Sequence, residues 1–403
     1  MIGEPATLDP YSSTASDLTY ELLRPVYPTL FRIEPDGTAV PDLARTATSG
    51  ASGGLEVKLN KRRWSDGRPI TARDVAQSYA RIDGSFGLFG AAAGGRSVDP
   101  GVKVRGRYRL TIEGLRTEQS LASPLFVLPH GRFDPKVSGG PFRIAETVPG
   151  FGITYKRNKS WEGTVSSLNS VRVEYIEDLD TMVALLQQSR LDAATPPSAV
   201  NLVDRLDAAQ LEQSSALGWE EIALDFDEAS IGEPERTAVA GAVDRTQLQE
   251  GLIRDDGRIS NTLSPAPGGR GASGPWKPST TSAAVPDVQL AVGKGDELTE
   301  QIQEVLQLQL DKVGSTAELV SADTRTFYGE WRASSPTDVS IVRVMGFPGA
   351  ETKLDKAIAR TVTGMPLFEV SSFVTWRGDV VQGLAVNPTI EGPLWNMQDW
   401  SKV

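Results

Sequence analysis

Apolar positions recur along this chain at two spacings, and the spacing sorts the elements. Leu55, Val57 and Leu59 alternate with Glu56 and Lys58, the period-2 pattern of a strand with one buried face. Val102-Lys103-Val104 and Tyr108-Arg109-Leu110-Thr111-Ile112 alternate as the two arms of a hairpin. Strand patterns follow at 142–145, 153–155 and 171–176, then again at 288–292, 317–320 and 339–344. Helical spacing appears between them. The stretch 18–31 reads as a helix, and Thr71-Ala72-Arg73-Asp74 resembles a capping box that opens a helix over 74–82. A further helix is predicted over 179–188, with Asp178 and Asp180 at the positive end of its dipole. Leu298, Ile302, Val305, Leu306 and Val313 form an apolar stripe after the cap Lys294-Gly295-Asp296, and Gly314 stands where that helix stops.

Turns and loops divide these elements. Pro35-Asp36-Gly37 is a tight turn, 48–54 and 84–101 are Gly-rich loops, and 265–278 is a Pro/Gly-rich loop without periodicity. No solenoid repeat is present. Strand followed by helix, twice over, is the grammar of α/β lobes.

Composition narrows the function. The chain has 403 residues, too many for one compact core, so two lobes are expected. Its apolar runs fall well short of the roughly 20 residues a membrane helix needs. The net charge of −11 argues against a nucleic-acid partner, which demands a basic surface. There is no cysteine and one histidine, His130, so thiol chemistry and zinc sites drop out.

Two enzyme-like strings do not hold up. Gly50-Ala51-Ser52-Gly53-Gly54 matches a nucleophile elbow, but a strand follows the serine where a helix is required. Gly269-Arg270-Gly271-Ala272-Ser273-Gly274 matches a dinucleotide fingerprint, but it runs into Pro275 and Pro278 and opens no helix. Acidic pairs such as Asp225/Asp227 come with no companion base. No catalytic residue, metal site or cofactor is therefore expected. Five of the eight tryptophans fall after residue 270, and Trp276, in the Pro/Gly loop, is favoured as a pocket residue rather than a core residue.

The order of several motifs resembles the family 5 extracellular solute-binding proteins, which serve ABC importers of peptides, nickel and some glycosides. Thr7-Leu8-Asp9-Pro10, Leu30-Phe31 and Pro41-Asp42-Leu43-Ala44 open the match. Trp64-Ser65-Asp66-Gly67-Arg68-Pro69-Ile70-Thr71-Ala72-Arg73-Asp74-Val75 then resembles the family's W/F-x-D-G-x-P-h-T-A-x-D-V turn and helix almost letter for letter. Gly139-Gly140-Pro141-Phe142-Arg143 and Arg157-Asn158-Lys159-Ser160-Trp161-Glu162-Gly163 are similar to two later turns. Pro234-Glu235-Arg236 to Asp244-Arg245 is similar to a family helix, and 383–400 to its closing segment.

This resemblance implies a two-lobed α/β fold of the type II periplasmic-binding-protein kind. Lobe one would hold 1–226 and 375–403, with a small accessory subdomain at about 46–138; lobe two would hold 227–374. The implied function is that of a substrate-binding component of an ABC importer, not an enzyme, taking a peptide or peptide-like solute in a cleft between the lobes. The alternative reading is a cell-surface receptor or interaction protein that reuses the fold without transport. The implied binding residues are Ser13 and Thr14 from the first loop, Arg270 and Trp276 from the Pro/Gly loop, and Met345 and Phe347. Phe347 falls where family peptide binders carry an Asp for the peptide amine. Implied partners are the ligand and the importer's membrane subunits. The protein is expected to be monomeric and extracytoplasmic, lipid-anchored to the outer face of the cell membrane through a leader absent from this chain.

Overall fold

Phe31–Ile33 (β1) and Ala39–Pro41 (β2) pair antiparallel across the Pro35-Asp36-Gly37 turn, where Gly37 takes φ +85°. The computed structural model describes residues 1, 3–12, 14–50, 54–81, 101–113, 125–164, 166–196, 211–263, 274, 276–277, 281–328, 337–345 and 358–403. Contacts divide the chain into two compact units, and the first comprises Thr7–Tyr175 and Trp376–Val403, with 348–350. In it, Ala44–Ser49 (β3), Leu55–Leu59 (β4), Val102–Gly106 (β5) and Arg109–Ile112 (β6) form an antiparallel sheet of order β3-β4-β6-β5. On β4 the three apolar residues are buried and Glu56 and Lys58 are exposed, as the alternation requires. Phe142–Val148 (β7), Gly152–Arg157 (β8) and Ser170–Glu174 (β9) make a three-stranded antiparallel meander.

The first helix, Asp17–Leu23 (α1), is half the length predicted over 18–31. Pro25 and Pro28 lack the N–H groups that would extend it, so the helix stops although Arg24 itself still has helical dihedrals (φ −52°, ψ −45°). The second helix, Ala72–Tyr79 (α2), begins as expected: the Asp74 carboxylate accepts from the Thr71 backbone N–H and hydroxyl, both at 2.8 Å. The tryptophan-centred motif before it is scaffold. Trp64 is buried, its N–H donates to the Arg68 carbonyl at 2.8 Å, and Gly67 closes the turn at φ +86°. Ser65 N–H reaches the Ser138 carbonyl at 2.7 Å and so fastens this turn to the Gly139-Gly140-Pro141 segment. Arg24 and Glu391 form a buried ion pair at 2.6 Å, and Glu391 also accepts from Ile33 N–H at 2.9 Å.

The second unit comprises Met1–Ala6, Ile176–Phe347 and Glu351–Thr375. Its sheet is built from Ala193–Ala194 (β10), Glu212–Phe226 (β11), Gly257–Ile259 (β12), Val288–Lys294 (β13), Ala317–Asp323 (β14), Val339–Met345 (β15) and Gly364–Trp376 (β16). The order is β10-β16-β11-β15-β13-β14, with β12 on β16. β13 runs parallel to both β14 and β15, and β11 runs antiparallel to β15. Its α-helices of four or more residues among the described residues are Leu179–Gln187 (α3), Glu233–Ala242 (α4), Arg245–Leu248 (α5) and Glu297–Asp311 (α6). Helix α6 buries Leu298, Ile302, Leu306 and Leu310 in the main apolar cluster, and Gly314 follows it at φ +82°. Because β11 and β15 pair from Glu220 to Phe226, residues 176–226 share contacts with the later part of the chain.

The stretch that resembles the family helix is also structural. Arg236 is buried and donates to the carbonyls of Ile231, Thr361 and Val362 at 2.8–2.9 Å, while Arg245 donates to those of Ser260 and Pro366. Two guanidinium groups thus satisfy carbonyls that the helices and strands leave open. Val381–Gln382 (β17) and Ser401–Lys402 (β18) close the first unit as a short antiparallel pair.

Candidate functional site

Alternation lays rows of apolar side chains down one face of the large sheet. Ile222, Leu224 and Phe226 of β11, Val339 and Ile341 of β15, and Leu290 and Val292 of β13 all belong to the buried cluster that includes α6. At one end of these rows the residue type changes. The next positions in the period-2 series are Glu220 on β11 and Arg343 on β15, and Asp296 follows β13 as the N-cap of α6. Arg343 Nη2 donates to Asp296 Oδ1 at 3.0 Å, Nε donates to Oδ2, and Nη1 donates to Glu220. Ser372 Oγ donates to Glu220 Oε2 at 3.4 Å, and the Arg343 backbone N–H donates to the Tyr328 hydroxyl at 3.3 Å.

This charge cluster lies at the carboxyl ends of the parallel strands β13 and β15, the edge at which open α/β sheets take their ligands. Its side chains are largely withdrawn from water: Arg343 is 12% exposed and Glu220 11%. Burial raises the Glu220 carboxyl above its ordinary value; Arg343 opposes this, and the nearby Asp296 charge adds to the rise. For Arg343, burial works against the charge, but Asp296 and Glu220 outweigh it and hold the guanidinium protonated. With two carboxylates around one guanidinium, the cluster has carboxylate capacity left for another cation.

The residues expected from the sequence fall as follows. Ser13, Arg270 and Phe347 lie outside the described residues, as does Ser52 of the elbow-like string. Thr14 is half-buried in the first unit, in a loop where its N–H donates to Ser12 Oγ at 3.3 Å. Trp276 is buried within the main apolar cluster of the second unit, and its backbone N–H donates to Asn261 at 2.9 Å. Its indole N–H has no hydrogen-bond partner among the described residues. Met345 ends β15 in register with Glu220, so its backbone stands beside the charge cluster.

Sequence reasoning passed over Glu220, Asp296 and Arg343. A signal was available: in Ile341-Val342-Arg343-Val344 the arginine takes a core-facing place in an apolar strand, where a charge requires a partner. Among the described residues, no group of three or more His, Cys, Asp or Glu is placed to hold a metal ion, and no helix is long and apolar enough to cross a membrane.

Residues 38–350 match the family described as bacterial extracellular solute-binding proteins, family 5. The chain is similar to the oligopeptide-binding protein OppA of Mycobacterium tuberculosis, 26% identical over 281 residues, covering 60% of this chain and 46% of that protein. It thus spans about half the length of the curated relatives it matches. Among solved structures it resembles AgaA from A. tumefaciens R10 in complex with agropinic acid, with a TM-score of 0.81, 15% identity and coverage of 100% of this chain and 97% of that one. It also resembles the oligopeptide-binding protein AppA from Bacillus subtilis in complex with a nonapeptide, with a TM-score of 0.76, 16% identity and coverage of 100% and 98%. The fold is the type II periplasmic-binding-protein fold implied by the motifs.

Proposed function

The chain belongs to the family 5 bacterial extracellular solute-binding proteins, and on that premise we propose that it is the substrate-binding component of an ABC importer. It captures a peptide or peptide-like solute and makes no covalent change to it. The observation that carries this reading is the charge cluster at the carboxyl ends of β13 and β15, where Glu220 and Asp296 share Arg343. A cationic group of the solute, such as a peptide's amino terminus, offers those carboxylates a second counter-charge. In a water-poor site that contact is strong. Ser13, Thr14, Arg270, Met345 and Phe347 remain the proposed lining, whereas Trp276, expected in the pocket, is packed in the main apolar cluster as a core residue; Phe347 in place of an acidic anchor favours an apolar neighbouring group.

The same reading makes the protein a monomer on the outer side of the cell membrane, held there by a lipid anchor. Its lobes divide near residues 226 and 375, and its partners are the importer's membrane subunits. Calorimetric titration with short peptides tests it. Peptides with a free amine are expected to bind, and N-acetylation is expected to weaken them about tenfold or more, the cost of leaving a buried charge unpaired. Equal affinity for free and acetylated forms would remove the amine from the reading, and no binding by any peptide would remove the peptide.

A further inference from the structure

The stretch Arg157-Asn158-Lys159-Ser160-Trp161 plays no part in the charge cluster, yet it borders an open concavity of about 540 Å³ in the first unit. Arg143, Lys156, Arg157 and Lys159 line it, with Asn158, Asn169 and Trp161. We infer that this groove binds a phosphate-type oxyanion.

Three observations carry the inference. First, Arg143 and Lys156 are direct cross-strand partners of β7 and β8. Like charges directly opposite each other destabilise an antiparallel pair unless something neutralises them. Second, none of the four cations forms an ion pair with a carboxylate among the described residues. That is unexpected in a chain with 52 acidic residues against 41 basic ones. Among the described residues, no ion pair balances this charge. Third, the wall is held in place before any ligand arrives. Arg157 donates to the Ser166 carbonyl at 3.1 Å and to Asn169. Asn158 is buried and donates to the Gly140 carbonyl at 2.8 Å. The Trp161 ring lies under the Arg62 guanidinium, 4.8 Å from its centroid, and its N–H is tied to Thr164 at 3.0 Å. Gly163 lies so close to that ring that a Cβ there would stand 2.7 Å from the indole nitrogen. A held wall that carries Arg157, with Arg143, Lys156 and Lys159 beside it and no ion-paired carboxylate among the described residues, suits a multivalent anion.

Lys156 and Lys159 are exposed, so replacing them leaves the meander's core intact. Titration of the whole protein with pyrophosphate at low salt is expected to show binding that weakens at least about tenfold in K156Q/K159Q, each charge-assisted contact being worth about that much. The charge-matched control K58Q/K103Q, on the four-stranded sheet of this unit, is expected to bind as the unaltered protein does. Co-sedimentation with phosphatidic acid vesicles, against phosphatidylcholine vesicles, distinguishes the source of the phosphate. Release of vesicles by pyrophosphate marks a lipid headgroup, and pyrophosphate binding without vesicle binding marks a soluble phosphate compound. Absence of binding to both probes, or equal weakening in K58Q/K103Q, would overturn the assignment.

Discussion

Arg343 is the residue on which the second unit's charge arrangement turns. It holds two carboxylates away from water, so its removal leaves Glu220 and Asp296 with no cation between them. Breaking a buried pair in this way costs about 3–5 kcal/mol, so R343M is expected to lower unfolding stability in urea by about that amount. R343K keeps the charge but loses the two-pronged contact with Asp296, and is expected to fall between the two. A loss below about 1 kcal/mol in R343M would mean that the carboxylates find other partners.

Glu391 gives a pH prediction. Burial raises its carboxyl to about 7 from the ordinary glutamate value of 4.5, with Arg24 opposing. The folded state therefore holds this proton more tightly than the unfolded chain, and the sign is fixed: stability falls as pH rises from about 4.5 to about 7. At about 1.4 kcal/mol per unit the change is roughly 3 kcal/mol across the window. Subtracting the stability profile of E391Q from that of the unaltered protein isolates it; a flat difference between pH 4.5 and 7 would contradict it.

At the scale of elements, glycines decide where strands can meet. Gly152 begins β8 at φ +142°, and a Cβ there would lie 2.0 Å from the Val173 carbonyl on β9. G152A is therefore expected to destabilise the meander by about 2 kcal/mol or more, through both strain and forced separation of the strands. Chemical denaturation reads this directly, and an unchanged midpoint would show that the β8–β9 edge can shift. The clean alternation of β4 and the short apolar strand patterns of β6 and β15 were legible in the sequence, and so was α6. Two long strands were not. β16 is buried on both faces over most of its length and carries Pro366 and Glu369, so it shows no period of two. β11 begins with Glu212-Gln213-Ser214-Ser215, whose polarity reads as loop. Only the neighbouring strands make it a strand.

At the scale of the whole molecule, the charge cluster and the cationic groove share no residue and belong to different contact units. Their substitutions are therefore expected to act independently. R343M should leave pyrophosphate affinity unchanged, K156Q/K159Q should leave peptide affinity unchanged, and the combined variant should show the sum within about 0.5 kcal/mol. A departure larger than that in either titration would reveal coupling between the two sites.

The sequence by itself determined the α/β class, the family and most of the short elements. These depend on periodicity and on turn residues, which act within a few positions of one another. The motifs that carried the resemblance are largely such local devices: the Trp64 turn, the Asp74 cap and the Arg236 and Arg245 contacts mainly stabilise the scaffold. Tertiary structure alone decided which charges meet. Glu220, Asp296 and Arg343 are separated by 76 and 47 positions, and the pairing of β11 with β15 and the placement of α6 bring them together. No local pattern encodes a contact between residues that only a folded sheet makes neighbours.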